Sequence, residues 1–255
     1  MKLIPLKLNK PVEPGENYIA RLAETIDEYG IRPVDGDIVA IAMKVVAISR
    51  GAFLGDCTPS ETALRLSREY MVDPCIAQWV LDNADYIIGG SRGIITTIYK
   101  GILVGNAGLD QKNSAGYVAT RWPDDIEYEA SRVREYLCRK YSANIAVVIV
   151  DSRAEPLRRG TRGFAVSIAG FNPIKSYIGK VDIYGRVIKY TTQNIADSIA
   201  AAAHIYMGEG DELTPYVYIR DAPIELGSEY GANDLKIPIE NCIYLAKLIK
   251  SDSSK

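Results

Sequence analysis

The sequence predicts a mixed-sheet fold of the α+β or α/β class. Short apolar runs typical of strands interleave with helical stretches, but they do not alternate with strict βαβ regularity. The chain has 255 residues, enough for one large domain or two intimate subdomains, and we expect residues 1–255 to form a single domain. Its 47% hydrophobic and 24% charged residues are ordinary for a globular protein, so an ample core is expected.

The first half of the chain predicts helices, one strand and a hairpin. In order, these are a helix over residues 17–29, a strand over 38–46, helices over 58–70 and 74–83, and a hairpin over 94–104 that breaks at Lys100-Gly101. The first helix rests on apolar side chains at helical spacing, and the strand on an unbroken apolar run. The second helix should begin at Thr58, because Pro59 suits the first helical position and Glu61 completes a capping box.

The second half predicts more strands. In order, we expect a long helix over residues 125–141, strands over 145–150 and 164–168, a turn-rich connector over 179–185, a helix over 194–206, a strand over 216–219 and a terminal helix over 238–250. Between the first two of these strands, residues 153–162 are rich in arginine and predict a loop. Residues 251–255 are polar and predict a frayed tail.

The net charge and the hydropathy of the sequence argue against two classes of binding partner, nucleic acids and membranes. The formal net charge is −2, with 30 basic against 32 acidic residues, and a nucleic-acid-binding protein would need a clear basic excess. No run approaches 18 consecutive apolar residues, and the first residues lack the apolar core of a signal peptide. We therefore expect a cytoplasmic protein that binds neither nucleic acid nor a membrane.

The cysteines and the single histidine predict no special chemistry. Cys57, Cys75, Cys138 and Cys242 are scattered without a Cys-x-x-Cys pair, so we expect small buried side chains rather than a zinc site or a disulfide framework. His204 lies inside an alanine-rich helical stretch, where a packed or surface role is expected.

Three acidic positions are the candidate metal ligands. Asp110 ends a hairpin, Asp151 follows the apolar run 146–150, and Glu209 lies in a glycine-containing segment after the alanine-rich helix. Carboxylates in such places hold Mg²⁺ or Mn²⁺ in many α/β-type folds, because these ions prefer oxygen ligands and bridge to phosphates. The alternative is that each acid is an ordinary cap or turn residue.

Two further segments suit an anion. Residues 151–160 place a carboxylate and a hydroxyl beside three arginines, which together could neutralise a polyphosphate, although the arginines could equally form a solvated loop. Residues 207–215 contain glycines that let backbone N–H groups approach a phosphate. The alternative for this segment is a plain helix end followed by a turn.

Five short motifs then occur in one order along the chain. They are residues 106–113, Asp151-Ser152 with Arg158 and Gly160, residues 179–186, residues 196–203, and residues 207–209. Their order and approximate spacing resemble the coenzyme F-420-0 γ-glutamyl ligases over nearly the whole chain, from Gly36 to Arg220. The resemblance implies a two-part mixed-sheet α+β fold and an intertwined homodimer. It also implies a GTP-dependent ligase that adds L-glutamate to coenzyme F-420-0 through an acyl phosphate, with two divalent ions, Mg²⁺ or Mn²⁺.

The same resemblance assigns site residues. Asp110 and Asp151 would share one metal, and Ser152 and Glu209 would hold the second. The residues implied to bind the nucleotide are Asn9, Lys10, Pro11, Val12, Asn113, Met207, Gly208, Gly210, Asp211, Glu212, Leu213 and Thr214.

Some positions depart from the family pattern. After its second strand the family usually has Ser-Lys-Ala-Glu-Gly, whose lysine contacts the nucleotide, and here Ile48 stands at the lysine position. Lys44 is the expected replacement, ahead of Arg50, because residues four apart share one face of a straight strand. The family's Gly-Arg after the metal-binding Asp-Ser is Ala154-Glu155, and its Asp-Glu on the late helix is Asp197-Ser198.

These departures leave three functions open. The first is the working F-420-0 ligase. The second is a divergent paralogue that binds a nucleotide or deazaflavin without turnover, and the third is a related metal-dependent ligase for another carboxylate substrate.

Overall fold

The computed structural model describes residues 1–247, which fold as two compact units. The first unit combines Met1–Ala52 with Trp122–Leu235, and the second combines Phe53–Arg121 with the segment that starts at Lys236. Helices and a mixed sheet occur together, so the α+β class is confirmed. No helix within the described residues is both long and apolar enough to cross a bilayer.

The elements follow in chain order. The strands are β1 (Lys2–Leu6), β2 (Ile38–Ala42), β3 (Phe53–Leu54), β4 (Tyr86–Ser91), β5 (Ile94–Tyr99), β6 (Ile102–Gly105), β7 (Ala119–Thr120), β8 (Ala146–Ala154), β9 (Thr161–Ala169), β10 (Ile174–Ser176), β11 (Thr192–Asn194) and β12 (Tyr216–Arg220). The helices are α1 (Tyr18–Glu28), α2 (Met43–Ser49), α3 (Glu61–Tyr70), α4 (Pro74–Asn83), α5 (Glu129–Tyr141) and α6 (Ile195–Met207).

The first unit is built on a five-stranded sheet in the order β1-β12-β2-β8-β9. Only β2 and β8 pair in parallel, and the other neighbours are antiparallel, so the sheet is mixed. Where these two strands pair, over residues 38–42 and 146–150, they are apolar throughout, because layers cover both of their faces. On one face α6 buries Ile199 and Ala203 against Ala40 and Val148. The long helix α5 also packs against β8 and β9.

The prediction of a single strand over residues 38–46 is wrong. The strand stops at Ala42, and the next residue begins α2. The run is apolar at almost every position, so it fits a buried strand and a buried helix equally well. The helix buries Met43, Val46 and Ala47, which lie three and four positions apart and therefore share one helical face.

Most other helix predictions are confirmed, with shifts at their ends. The predicted helices over residues 17–29, 74–83 and 194–206 correspond to α1, α4 and α6. The start at Thr58 is wrong, because Ser60 caps α3 by accepting a hydrogen bond from the N–H of Ala63 at 3.2 Å. The long helix over 125–141 opens with a 3₁₀ turn, Ile126–Tyr128, before α5.

Strand predictions hold in position but not in length. The strand over 145–150 continues to Ala154 in β8, so the first residues of the arginine-rich segment are in a strand and not in a loop. A 3₁₀ turn, Ile239–Asn241, stands in the range of the predicted terminal helix. The rest of that helix from residue 248, and the predicted tail, lie outside the described residues.

The second unit contains a three-stranded antiparallel sheet, β4-β5-β6, and a short pair, β3-β7. The predicted hairpin is confirmed as β5 and β6. Its turn at Lys100 and Gly101 has φ angles of 52° and 73°, a left-handed conformation that glycine adopts readily. Helices α3 and α4 pack together in the same unit.

The expectation of unpaired cysteines is wrong for one pair. Cys57 and Cys75 form a disulfide across a sequence separation of 18 residues, with 5.5 Å between their Cα atoms, whereas Cys138 and Cys242 are free. The pair could not be found from sequence spacing, because Cys57 precedes α3 and Cys75 lies in the first turn of α4. The packing of these helices brings the two residues together.

Reduction of this disulfide should lower the free energy of unfolding by about 3 kcal/mol, because the crosslink restricts the unfolded chain. Urea unfolding with and without a thiol reductant measures the change. Cys57→Ser should give the same loss without reductant, and Cys138→Ser, at a free thiol, is the control. Four alkylatable thiols in the unreduced protein, or a stability that reductant leaves unchanged, would contradict the pairing.

Candidate active site

The predicted site residues of the first unit gather at one end of the five-stranded sheet. There Leu6 of β1 pairs with Tyr216 of β12, Tyr216 pairs with Ile41 of β2, and Ala42 of β2 pairs with Val150 of β8. We call this the site end, where β1 and β2 finish and β12 begins. The segments that leave it are residues 7–12, the start of α2, the outer part of β8 and the loop over residues 208–214, here called the glycine loop.

Backbone hydrogen bonds hold these segments, or the residues next to them, together. The N–H of Leu8 donates to the carbonyl of Leu213 at 2.7 Å, which places the segment containing Asn9, Lys10, Pro11 and Val12 beside the glycine loop. The N–H of Ala42, directly before α2, donates to the carbonyl of Pro215 at 2.8 Å. Two segments predicted to bind one nucleotide, though distant in sequence, are therefore neighbours.

The N-terminal segment presents polar groups at this place. Asn9, Lys10 and Pro11 are exposed, whereas Val12 is buried and holds the segment against the unit. The side-chain oxygen of Asn9 accepts a hydrogen bond from the guanidinium of Arg21 at 2.8 Å.

The glycine loop wraps its backbone around a carboxylate. It includes Gly208, Gly210, Asp211, Glu212, Leu213 and Thr214, and it follows the buried Met207 at the end of α6. The Glu212 carboxylate accepts the N–H of Gly210 at 2.9 Å, and backbone N–H groups of Glu212 itself and Gly210 hold the pKa of Glu212 below its usual value. Gly208 has φ 69° and lies so close to this carboxylate that a side chain there would collide with it. The loop thus already binds an anionic group through backbone N–H groups, as a phosphate loop does.

Asp151 and Ser152 lie on β8, and their side chains leave opposite faces of the sheet. Asp151 pairs with Phe164, and its Oδ2 accepts a hydrogen bond from Nε1 of the buried Trp122 at 2.7 Å. Ser152 pairs with Gly163, where an added Cβ would meet the helix α6 at His204. The Ser152 side chain therefore faces α6, and the Asp151 side chain faces away from it.

Glu209 is held on the α6 side of the sheet. Its Oε1 accepts a hydrogen bond from the hydroxyl of Thr161 and lies 3.2 Å from Nε2 of His204. Thr161 and Gly163 are two residues apart on β9, so both face α6. Glu209 and Ser152 therefore belong to the same side of the sheet. His204 has the packed role that its position predicted, and it also contacts a predicted metal ligand.

Two of the four arginines over residues 153–162 form ion pairs with the glutamate of the same segment. Glu155 accepts from Arg153 at 3.2 Å and from Arg162 at 2.7 Å. Burial raises the pKa of Glu155, but the two arginines outweigh burial and hold that pKa below its usual value. Arg153 also lies 4.6 Å from the centre of the Phe164 ring. These contacts tie Arg153 and Arg162 to the hairpin of β8 and β9, and the anion site over residues 151–160 stays a prediction.

Asp110 and Asn113 belong to the second unit. Asp110 forms a two-way backbone bridge with Thr120, at 3.0 and 2.8 Å, and its carboxylate accepts the N–H of Lys112 at 2.9 Å. Asn113 is exposed and has φ 52°. Among residues 1–247, no group of three or more His, Cys, Asp and Glu side chains could hold a metal ion. The shared metal of Asp110 and Asp151 therefore stays a prediction.

The donor set nevertheless fits hard divalent ions. Asp151 and Glu209 are carboxylates whose oxygens are directed by hydrogen bonds from Trp122, Thr161 and the N–H of Ser152. A carboxylate has about four lone-pair sites, so it can bind hydrogen-bond donors and a cation together. Oriented oxygen ligands of this kind are the ones that Mg²⁺ and Mn²⁺ prefer.

Lys44 and Ile48 share one face, as predicted, but the prediction that this is the face of a strand is wrong. Both residues lie on α2 and not on a strand, and residues four apart share a helical face as well. Ile48 is buried, with 9% of its surface exposed. Arg50 donates to the buried Glu129 at 2.8 Å and contacts Asp125 at 3.3 Å, which gives it a structural role.

The sequence reasoning missed three residues that support the site. Trp122, Thr161 and His204 contact Asp151 or Glu209, and none of them stands in a recognisable motif. Their positions depend on which strand and which helix pack beside the predicted ligands. No signal in the sequence alone could have assigned them.

Comparison with known proteins identifies the family. The sequence model of the F420-0:Gamma-glutamyl ligase family matches residues 8–221. A protein of Methanothermobacter thermautotrophicus named coenzyme F420:L-glutamate ligase is 33% identical over 90% of this chain and 92% of its own length. Proteins of the same name from Methanopyrus kandleri and Methanocaldococcus jannaschii are 32% and 31% identical, over 89% and 95% of this chain and 89% and 97% of their own lengths. This chain therefore belongs to the F420-0:Gamma-glutamyl ligase family of enzymes.

Proposed function

We propose that this protein ligates L-glutamate to coenzyme F-420-0 and uses GTP and two divalent ions, Mg²⁺ or Mn²⁺. The observation that carries the proposal is the junction at the site end of the sheet. There the N-terminal segment and the glycine loop are joined by the Leu8–Leu213 hydrogen bond, on the same end of the sheet as Asp151 and Ser152. The names of the relatives support the choice of substrates.

Each group of residues at the site has a proposed role that follows from its chemistry. Asp151, Ser152, Glu209 and Asp110 would hold the ions, which neutralise phosphate charge when they are bound. The N-terminal segment and the glycine loop would bind the nucleotide. A phosphate would replace the Glu212 carboxylate as the acceptor of the backbone N–H groups of the loop. The γ-phosphoryl group passes from GTP to the substrate carboxylate, which leaves GDP and an acyl phosphate. The glutamate amine then attacks the acyl carbon, phosphate leaves, and the amine loses a proton as the amide forms.

A direct assay tests the proposal. Purified protein with coenzyme F-420-0, L-glutamate, GTP and Mn²⁺ should release GDP and give a product heavier by a glutamyl unit. ATP in place of GTP, and a chelator in place of Mn²⁺, are the matched controls. No product together with no thermal stabilisation by any nucleoside triphosphate would overturn the ligase, because a ligand that binds the native state raises its stability.

Lys44 should supply the cation that Ile48 does not. Lys44→Ala is expected to weaken GTP binding by about 1.5–3 kcal/mol, the range for a hydrogen bond to a charged group. Isothermal titration measures the change. The control is Lys2→Ala, which removes an exposed lysine from the opposite end of β1. Equal GTP affinity of Lys44→Ala and wild type would remove Lys44 from the nucleotide site.

The second candidate is a paralogue that binds nucleotide or deazaflavin without turnover. Two observations favour it: Ile48 is buried, and Glu155 engages the arginines Arg153 and Arg162. Nucleotide-dependent stabilisation without GDP release in the assay would select this function. GDP release with a carboxylate other than coenzyme F-420-0 would select the third function, a related metal-dependent ligase for another carboxylate substrate.

We also propose a homodimer, supported by an exposed apolar arm over residues 174–194. The arm consists of the pair β10-β11 and the turn between them, and its side chains Ile183 and Tyr190 are 91% and 87% exposed. Apolar and aromatic surface of this kind is typical of interfaces. Light scattering should give a dimer mass, and Ile183→Asp should shift it toward the monomer. Tyr128→Asp, at another exposed position, is the control, and a wild-type monomer at micromolar concentration would contradict the proposal.

A further inference from the structure

Trp122 is a buried residue whose side chain has one polar group, the indole N–H. This group donates a hydrogen bond to a candidate metal ligand. Only 1% of its surface is exposed, and its Nε1 lies 2.7 Å from Oδ2 of Asp151. An indole nitrogen is a donor with one hydrogen and cannot accept, so this hydrogen bond has a fixed direction. The Trp122 ring also lies 6.4 Å from the ring of Phe164, the residue that pairs with Asp151 across the hairpin.

The second oxygen of Asp151 is directed as well. Its Oδ1 accepts the N–H of Ser152 at 2.8 Å. Two donors on different sides therefore set the rotation of this carboxylate, one from the packed indole and one from the backbone of β8. These two hydrogen bonds fix the plane of the carboxylate, and with it the directions from which a cation could approach the oxygens.

A buried indole N–H needs only one hydrogen-bond acceptor, and a neutral acceptor is sufficient. The other tryptophan of the chain, Trp79, donates to the neutral carbonyl of Ala107 at 3.2 Å. Trp122 instead donates to a partly buried carboxylate, and a hydrogen bond to a charged acceptor is stronger than one to a neutral acceptor. Of the two tryptophans, Trp122 therefore directs a charged side chain and Trp79 a neutral backbone group.

We propose that Trp122 is a positioning residue that orients the Asp151 carboxylate toward a divalent cation. The proposal rests on the ligase function proposed above, and it goes beyond it by assigning a role to a residue whose indole N–H cannot itself bind a cation. Donors that orient a metal-binding residue change metal affinity or activity by about 10–100-fold when they are removed. Trp122→Phe keeps an aromatic ring and deletes only the donor.

Calorimetric titration with Mn²⁺ tests the role. Trp122→Phe should bind Mn²⁺ about 10–100-fold more weakly than wild type. Trp79→Phe loses an indole hydrogen bond elsewhere and should bind Mn²⁺ as wild type does. A purely structural role would lower the melting temperature of Trp122→Phe and leave its Mn²⁺ affinity unchanged, and that result would overturn the proposal. If wild type itself binds no Mn²⁺, the metal-dependent ligase falls together with this proposal. If wild type and Trp122→Phe bind Mn²⁺ equally well, this proposal alone falls.

A fluorescence measurement tests the same role without changing Trp122. In Trp79→Phe the only remaining tryptophan is Trp122, and paramagnetic Mn²⁺ held by Asp151 should quench its emission, with the midpoint that calorimetry gives. Adding Asp151→Asn to this variant should abolish the quenching. Saturating Mn²⁺ binding by calorimetry without any quenching would overturn the proposal, even if Trp122→Phe did not fold.

Discussion

Asp151→Asn should lower ligase turnover by roughly 10²–10³-fold, the range for removal of one group that stabilises charge in a reaction. The substitution keeps the shape of the side chain and removes the negative charge on which a divalent ion depends. Mn²⁺ should then no longer raise the melting temperature. The fold should survive, because the amide oxygen can still accept the hydrogen bond from Trp122.

Steady-state assays and calorimetric titration with Mn²⁺ measure these two effects. Asp27→Asn is the matched control, since Asp27 is an exposed carboxylate on α1 that pairs with Lys140. It should change neither turnover nor metal binding. Unchanged Mn²⁺ affinity in Asp151→Asn would remove Asp151 from the metal site.

Arg220→Met should lower the free energy of unfolding by about 3 kcal/mol, the lower part of the range for leaving a buried charge without its partner. Asp37 is 1% exposed, directly before β2. Arg220, at the end of β12, donates to both carboxylate oxygens of Asp37 at 3.1 and 2.8 Å. Tyr218 and the N–H of Val34 donate as well. The lower figure is chosen because the Arg220 side chain is itself one-third exposed.

The pH dependence of this loss has a definite sign. Burial raises the pKa of Asp37, but the hydrogen bonds from Arg220 and Tyr218 outweigh burial and hold that pKa below its usual value. The pair therefore stabilises the fold above the pKa of Asp37 in the unfolded chain, and the contribution is lost as the pH falls through the lower folded pKa. The difference in stability between wild type and Arg220→Met should shrink in acid.

Urea unfolding at several pH values measures both quantities. Lys140→Met is the control, because it breaks the exposed pair of Lys140 and Asp27 and should cost less than about 1 kcal/mol. Equal losses in the two variants at neutral pH would show that the buried position of Asp37 adds nothing.

The sequence alone determined the elements whose signals are local. The helices α1, α4 and α6 were predicted because caps and apolar spacing act within one or two turns. The hairpin of β5 and β6 was predicted because its turn requires a left-handed residue that Gly101 supplies. The family resemblance likewise rests on short motifs, and it names Asp110, Asp151, Ser152 and Glu209 as candidate ligands.

Only the tertiary structure decided the features that depend on which elements meet. The apolar run after Asp37 became a strand and then a helix, because both periods suit it and only the packing of α2 separates them. The pairing of β8 with β9 extended a strand through Asp151 and Ser152 and sent their side chains to opposite faces. The disulfide of Cys57, like the contact of Trp122 with Asp151, joins residues that are distant in sequence. Spacing along a chain cannot encode such contacts, because they form only when long-range packing brings two segments to the same place.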